Sequence, residues 1–225
     1  AHARGGRRAR RTVRENMETY HSHNGKLVTF EGCEGVGKST QIKLLAEYFE
    51  AHGIDALFTR EPGGTEVGER VRALLKDESL DMCPETELLL FEAARSENTR
   101  KVIIPALEAG RIVVVDRYID STTAYQCFGR GLDRAEVEML NAYATADVRI
   151  DLTIFLDAPP FANTKRSASD RMELAGREFH DRVYDGYRAI GRDTERFAFI
   201  TTSDSKYATA EAVIAALKEH GVIDV

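Results

Sequence analysis

The run Gly32-Cys33-Glu34-Gly35-Val36-Gly37-Lys38-Ser39 follows the pattern G-x-x-x-x-G-K-[ST]. A loop of this kind wraps its backbone N–H groups around the phosphates of a nucleotide. Its glycines adopt conformations that a Cβ forbids and let the backbone approach an anion closely. Lys38 brings a compact positive charge for the β- and γ-phosphates, and Ser39 brings a hydroxyl for Mg²⁺. Leu27-Val28-Thr29-Phe30-Glu31, just upstream, is a short β-rich run. Downstream, Ile42, Leu44, Leu45, Tyr48 and Phe49 recur at helical spacing, which sets the phosphates at a helix N-terminus. Strand, loop and helix in this order predict a nucleoside triphosphate site.

Four further apolar runs read as strands: 56–59, 112–115, 152–156 and 197–200. They are short and nearly continuous, as parallel strands buried on both faces are. Amphipathic stretches at about 41–52, 65–76, 84–109, 133–146, 177–194 and 206–220 separate them. This alternation predicts an α/β, three-layer P-loop NTPase fold, a central parallel sheet of about five strands flanked by helices. One P-loop domain would span 25–225, with a lid at about 160–176, behind a basic arm at 1–24 that has almost nothing apolar to bury and reads as disordered.

With 225 residues and 43% hydrophobic content, the chain can build a sizeable core. It has no apolar run approaching the ~20 residues of a membrane span. The net charge of −6 is uneven. Residues 1–14 hold six arginines and no acid, leaving 25 basic against 37 acidic side chains in 15–225. Such a body is not built to coat nucleic acid, and only the arm could make non-specific contact with it. Cys33, Cys83 and Cys127 are odd in number and widely spaced, which fits free thiols and a cytoplasmic location.

In a parallel sheet, ligands gather at the carboxyl ends of strands. Those ends carry the phosphate loop, Arg60-Glu61-Pro62-Gly63-Gly64, Asp116-Arg117-Tyr118 and Asp157-Ala158-Pro159-Pro160. Asp116 stands where an acid orients Mg²⁺ and its waters. Arg117, next to it, offers a bidentate fork to a phosphate, which favours a phosphorylated acceptor over water. Phe91 and Arg95, four apart on one helical face, pair a ring that can stack on a base with a planar donor. On that reading Arg95 is a ligand; on the plainer one it snorkels to solvent. Arg72, on the helix after Pro62, reads most simply as a surface charge. Lys165, Arg166 and Arg171 put three cations into seven residues, as in a basic lid that closes over a transferring phosphoryl group.

Taken together, the chain from about Lys26 onward resembles the thymidylate kinase (dTMP kinase) family. The resemblance rests on the phosphate loop with Glu34 inside it, Arg60-Glu61-Pro62-Gly63-Gly64-Thr65, and Leu90-Phe91 with Ala94-Arg95. It rests equally on Asp116-Arg117-Tyr118, Ser121-Thr122 with Ala124-Tyr125-Gln126, and Asp170-Arg171-Met172-Glu173 with Phe179 and Arg182-Val183. It implies transfer of a phosphoryl group from ATP to dTMP with Mg²⁺ as cofactor, in the supply of dTTP, by a homodimer. ATP would be held by Gly32, Cys33, Glu34, Gly35, Val36, Gly37, Lys38, Ser39 and Thr40, and the metal through Ser39 and Asp116. For the acceptor, it implies that Phe91 stacks on thymine, Arg95 and Thr122 contact its polar edge, and Gln126 packs beside it. Tyr125 would lie by the sugar, Glu34 near the 3′-hydroxyl, Arg117 on the phosphate, and Pro62 and Arg72 nearby. The phosphate loop has no basic residue among its variable positions, so the catalytic cations besides Lys38 and Arg117 would be Arg166 and Arg171 in the lid.

Cys127 departs from the family, which usually has Gly there, and the lid is short. Thr202-Ser203-Asp204 is the positional candidate for adenine contacts. Two other readings of the residues are a same-fold kinase for another nucleotide or nucleoside, and an ATP-driven switch or nucleic-acid motor using the arm.

Overall fold

The structure, a computed structural model, describes residues 24–160 and 176–225. Residues 1–23 of the expected arm and the cations expected in a lid, Lys165, Arg166 and Arg171, lie outside the described residues. Strands β1 (Lys26–Glu31), β2 (Ala56–Arg60), β3 (Ile112–Asp116), β4 (Leu152–Asp157) and β5 (Phe197–Thr201) form one sheet in the order β2-β3-β1-β4-β5. Every pairing is parallel. The predicted strands are all present and in register, with Phe30 opposite Asp116 and Arg60 also opposite Asp116.

Alternate residues of β1 and β3 feed two cores. Val28, Phe30, Val114 and Ile154 face a cluster that takes in Leu45 and Phe49 of α1 (Lys38–Ala51), Val183 and Tyr187, and Val213 and Leu217. Leu27, Val113 and Val115 face the other side with Ile103, Leu107, Val148 and Ile150. This is why the central strands read as continuous apolar runs: neither face of β1, β3 or β4 meets water, whereas the edge strands β2 and β5 are partly exposed. Among the described residues, no helix is long and apolar enough to cross a membrane.

The remaining helices are α2 (Glu66–Lys76), α3 (Pro84–Asn98), α4 (Ile104–Glu108), α5 (Ile119–Thr122), α6 (Arg134–Thr145), α7 (Arg177–Arg192) and α8 (Lys206–Glu219). Thr65, Asp133 and Ser205 cap α2, α6 and α8, each side chain accepting a first-turn N–H. The expected continuous helix at 84–109 is broken by a π-helical segment, Thr99–Ile103. Pro105 follows it; lacking an N–H and crowding the carbonyl four residues back, it opens the ladder just upstream.

A second π-helical segment, Thr123–Gly129, follows α5. Thr122 and Tyr125 therefore do not share one α-helical face, as a regular helix would have placed them. The wider turn rotates less per residue, yet both side chains reach the same cavity. Cys127 sits in this segment with ordinary backbone, since the described non-glycine residues at positive φ are Arg117, Ala146 and Asp147. Its substitution for Gly thus leaves no strain here.

Candidate functional site

β1 and β3 are neighbours whose following chains depart to opposite sides of the sheet, toward β2 and β4. Their carboxyl ends bring the phosphate loop against Asp116-Arg117. Gly37, at φ 99°, turns the loop into α1, and no side chain caps that helix. Its first N–H groups thus remain for an anion. Cys33 and Val36 point their side chains into the core, so their part in nucleotide binding is left to backbone N–H groups.

Lys38 is buried, and its Nζ donates to the carbonyls of Gly32 (2.8 Å) and Cys33 (2.7 Å). Burial, reinforced by the nearby Arg117 charge, pushes its pKa down to about 8. Arg117 takes a left-handed backbone, φ 67°, held by donation of its N–H to Phe30 O over 3.0 Å. Its guanidinium donates from Nη2 to Glu34 Oε1 (3.0 Å) and from Nη1 to Gly32 O (3.2 Å), Ser121 Oγ and Tyr187 Oη (both 3.3 Å). Glu34 also accepts from Tyr125 Oη at 2.5 Å, and buried His180 brings Nδ1 to 3.4 Å from Glu34 Oε2. Burial works to raise the Glu34 pKa, but Arg117, His180 and Lys38 outweigh it and hold the carboxyl well below the ordinary range.

A second group centres on Arg95, which is 2% exposed and does not snorkel. Its Nε donates to Glu61 Oε2 (2.8 Å), and its Nη1 to Glu92 Oε1 (2.5 Å), Thr122 Oγ1 (2.8 Å) and Asn141 Oδ1 (2.7 Å). Burial pushes the Glu61 and Glu92 carboxyls upward against the pull of Arg95. Gln126 donates to Glu87 Oε1 at 2.9 Å, and Arg130 forks onto the same carboxylate. The Pro-Gly-Gly turn is a tight connection in its own right: a Cβ on Gly64 would come within 2.5 Å of Asn98 Oδ1 and Thr59 Oγ1. Arg72 is half-buried rather than solvated and donates to Pro62 O at 2.9 Å.

Members of both groups (Glu34, Arg117, Ser121 and Tyr125; Glu61, Arg95, Thr122 and Gln126) line one cavity of about 340 Å³, together with Gly35, Lys38, Ser39, Pro62, Arg72, Phe91 and Asp116. The predicted acceptor residues all meet there. Thr40 and Thr202-Ser203-Asp204 do not line it; Thr40 is exposed, and Ser203 is engaged with Ser205 and Thr209. A fit for Mg²⁺ rests on Asp116, whose Oδ1 is buried with no hydrogen-bond partner among the described residues, and on the exposed Ser39 in the same cavity. The donors are oxygens, few in number, and the described residues hold no cluster of three His, Cys, Asp or Glu able to hold a metal. That suits an ion bound by one or two protein ligands plus substrate phosphates.

Sequence reasoning quoted Glu61 and Ser121 within motifs but gave them no role, and it missed Glu92 and Asn141 around Arg95 and Glu31, Tyr187 and His180 around Arg117. Two signals were available. Glu92 lies three residues before Arg95, and His180 and Tyr187 lie seven apart, hence on one face of α7.

The family model for thymidylate kinase matches residues 30–213. A thymidylate kinase from Caldanaerobacter subterraneus subsp. tengcongensis is 40% identical over 200 residues, covering 87% of this chain and 96% of the relative. One from Geotalea uraniireducens is 42% identical over 205 residues, covering 86% and 96%. The crystal structure of thymidylate kinase from Ehrlichia chaffeensis superposes with a TM-score of 0.70 at 40% identity, covering 86% of this chain and 98% of that one.

Proposed function

The chain belongs to the thymidylate kinase family, and from that membership we propose that it transfers the γ-phosphoryl group of ATP to dTMP, giving ADP and dTDP. It is a nucleoside monophosphate kinase, a phosphotransferase with a phosphate acceptor. The observation that carries the reading is the meeting of the Arg117–Glu34 pair and the Arg95–Thr122 pair in one cavity. One pair suits a phosphate and sugar, the other the polar edge of a base.

Phosphoryl transfer asks little covalent chemistry of a protein, so positioning and charge stabilisation carry it. Arg117 aligns the acceptor phosphate, whose own oxygen is the nucleophile, so no general base is needed. Lys38 and the open N-terminus of α1 stabilise charge on the donor phosphates, and Arg166 and Arg171 in the lid add to it as the lid excludes water. Asp116 and Ser39 would hold Mg²⁺, which when bound offsets negative charge on the phosphate oxygens. Phe91 stacks on the base, Arg95 and Thr122 donate to its carbonyl edge, and Gln126 packs beside it. Tyr125 and Glu34 face the sugar. The buried cation of Arg95 cannot become an acceptor, so a 4-oxo base is favoured over a 4-amino one. A homodimer fits the exposed Leu89, Met139 and Tyr143 on α3 and α6.

The test is a panel of nucleoside and deoxynucleoside monophosphates assayed with ATP. dTMP should give the highest kcat/KM, and a higher value for a cytosine or purine acceptor would assign the site to another nucleotide.

A further inference from the structure

Glu31 closes β1 one residue before the phosphate loop and is fully buried. Its Oε1 accepts the backbone N–H of Tyr118 at 2.7 Å. Its Oε2 accepts from Ser121 Oγ at 2.6 Å and from Tyr187 Oη at 3.0 Å, the two hydroxyls lying 2.8 Å apart. Both are the hydroxyls that Arg117 Nη1 reaches at 3.3 Å. Glu31 thus does not line the cavity itself, yet it is joined to Arg117 along three routes: two side chains and the peptide that follows.

We propose that Glu31 is a positioning residue for Arg117, acting by orienting the hydroxyls of Ser121 and Tyr187. Each hydroxyl owns a single hydrogen and two lone pairs. A carboxylate accepts only, so it draws both hydrogens toward itself. The lone pairs are then left facing Nη1, which can only donate. The same carboxylate fixes Tyr118 N, and so the peptide leaving the left-handed Arg117, a backbone conformation that a side-chain-bearing residue adopts only when its surroundings hold it. The guanidinium therefore meets a substrate phosphate already aimed, and little ordering is left to the moment of binding.

An amide cannot do this. In Glu31→Gln the one amide oxygen is needed by Tyr118 N–H, so the NH₂ faces the hydroxyls and donates to them. Their hydrogens then turn toward Nη1, donor against donor, and Arg117 is pushed off its aim.

The inference rests on the role given to Arg117 above, so the experiment is a double-mutant cycle in the full chain at pH 8. The readouts are kcat/KM for dTMP and KM for ATP in wild type, Glu31→Gln, Arg117→Lys and the double variant. Arg117→Lys, which keeps the charge and loses the fork, should lower kcat/KM for dTMP by about 100-fold. Glu31→Gln should lower it by about tenfold with KM for ATP within about twofold, and should add less than about twofold once Arg117 is Lys. A full tenfold loss in both backgrounds, or an equal rise in KM for ATP, overturns the proposal, because Glu31 would then support the fold or the phosphate loop generally. No loss in Arg117→Lys alone overturns the reading of Arg117 itself, and this proposal with it. Should Glu31→Gln fail to fold, Tyr187→Phe keeps the carboxylate and removes one relay hydroxyl. Its loss, about three- to tenfold, must likewise vanish in the Arg117→Lys background; a loss that persists there overturns the relay.

Discussion

Tyr125 donates its phenolic hydroxyl to Glu34 Oε1 over 2.5 Å, tying the segment after α5 to the phosphate loop 91 residues earlier. Its ring stands edge-on to Phe179 and Tyr187, with centroids 6.0 and 6.3 Å away, and still borders the cavity. Ring and hydroxyl therefore do separate work. A deoxyribose lacks the 2′-hydroxyl, so selection against ribose must come from excluding that group. A hydroxyl buried unpaired costs roughly 1–3 kcal/mol, about 5- to 150-fold. Tyr125→Ala, which removes the ring, should narrow the preference for dTMP over its ribose counterpart by about tenfold within that range. Tyr125→Phe keeps the bulk and should leave the ratio within about twofold while removing one of the hydrogen bonds that Glu34 accepts. The ratio of kcat/KM for the two acceptors checks both, and an unchanged ratio in Tyr125→Ala would make Tyr125 a packing residue only.

Neutralising Arg166 or Arg171 should lower kcat far more than it raises KM for dTMP, because a lid cation meets the phosphoryl group chiefly in the transition state. Steady-state kinetics of Arg166→Gln and Arg171→Gln decide this. If both retain wild-type kcat, the basic run is a solvated face.

Arg95 is the only cation that the described contacts give to the buried pair Glu61 and Glu92. Arg95→Ala leaves two carboxyls, each about 5% exposed or less, without it. Breaking a buried pair by removing one partner costs about 3–5 kcal/mol. For a domain of this size that lowers Tm by roughly 10 °C. Calorimetry showing a shift within about 2 °C would mean that the pair is compensated elsewhere.

Burial, with the Asp120 charge adding to it, pushes the Glu31 pKa from 4.5 up to about 7. The folded protein then binds this proton more tightly than the unfolded chain. The resulting stabilisation is fully present below pH 4.5 and is lost as pH rises through about 7. Wild type should therefore lose on the order of 2 kcal/mol relative to Glu31→Gln between pH 5 and pH 8. Urea unfolding of both proteins across that range reads the difference; parallel curves would show that Glu31 titrates normally.

The fold was legible because its signals are local and redundant. Each strand carried a nearly continuous apolar run, and Lys38-Ser39 could belong to few other loops. Some cavity residues followed from motifs at strand ends, such as Asp116-Arg117; Phe91 and Arg95 followed from a shared helical face, and Thr122, Tyr125 and Gln126 from the resemblance. What escaped was the support around them. Glu92, Asn141 and Glu61 come from three elements that only the sheet topology brings to Arg95. Glu31 read as an ordinary strand residue, since nothing in a sequence marks a carboxyl as buried. The π-helical turns also escaped, as they differ from α-helix by one residue per bond and leave the periodicity almost unchanged.

The central claim is tested most directly by the fate of the transferred group. ATP carrying a radiolabelled γ-phosphate is incubated with the protein and Mg²⁺, with and without dTMP, and the products are separated. With dTMP the label should appear in dTDP, one for each ADP formed. Without it, release of inorganic phosphate should be at least about 100-fold slower, since water is excluded from the transfer. Inorganic phosphate released at the same rate with and without dTMP, and no labelled dTDP, would contradict the account and make the protein an ATP hydrolase.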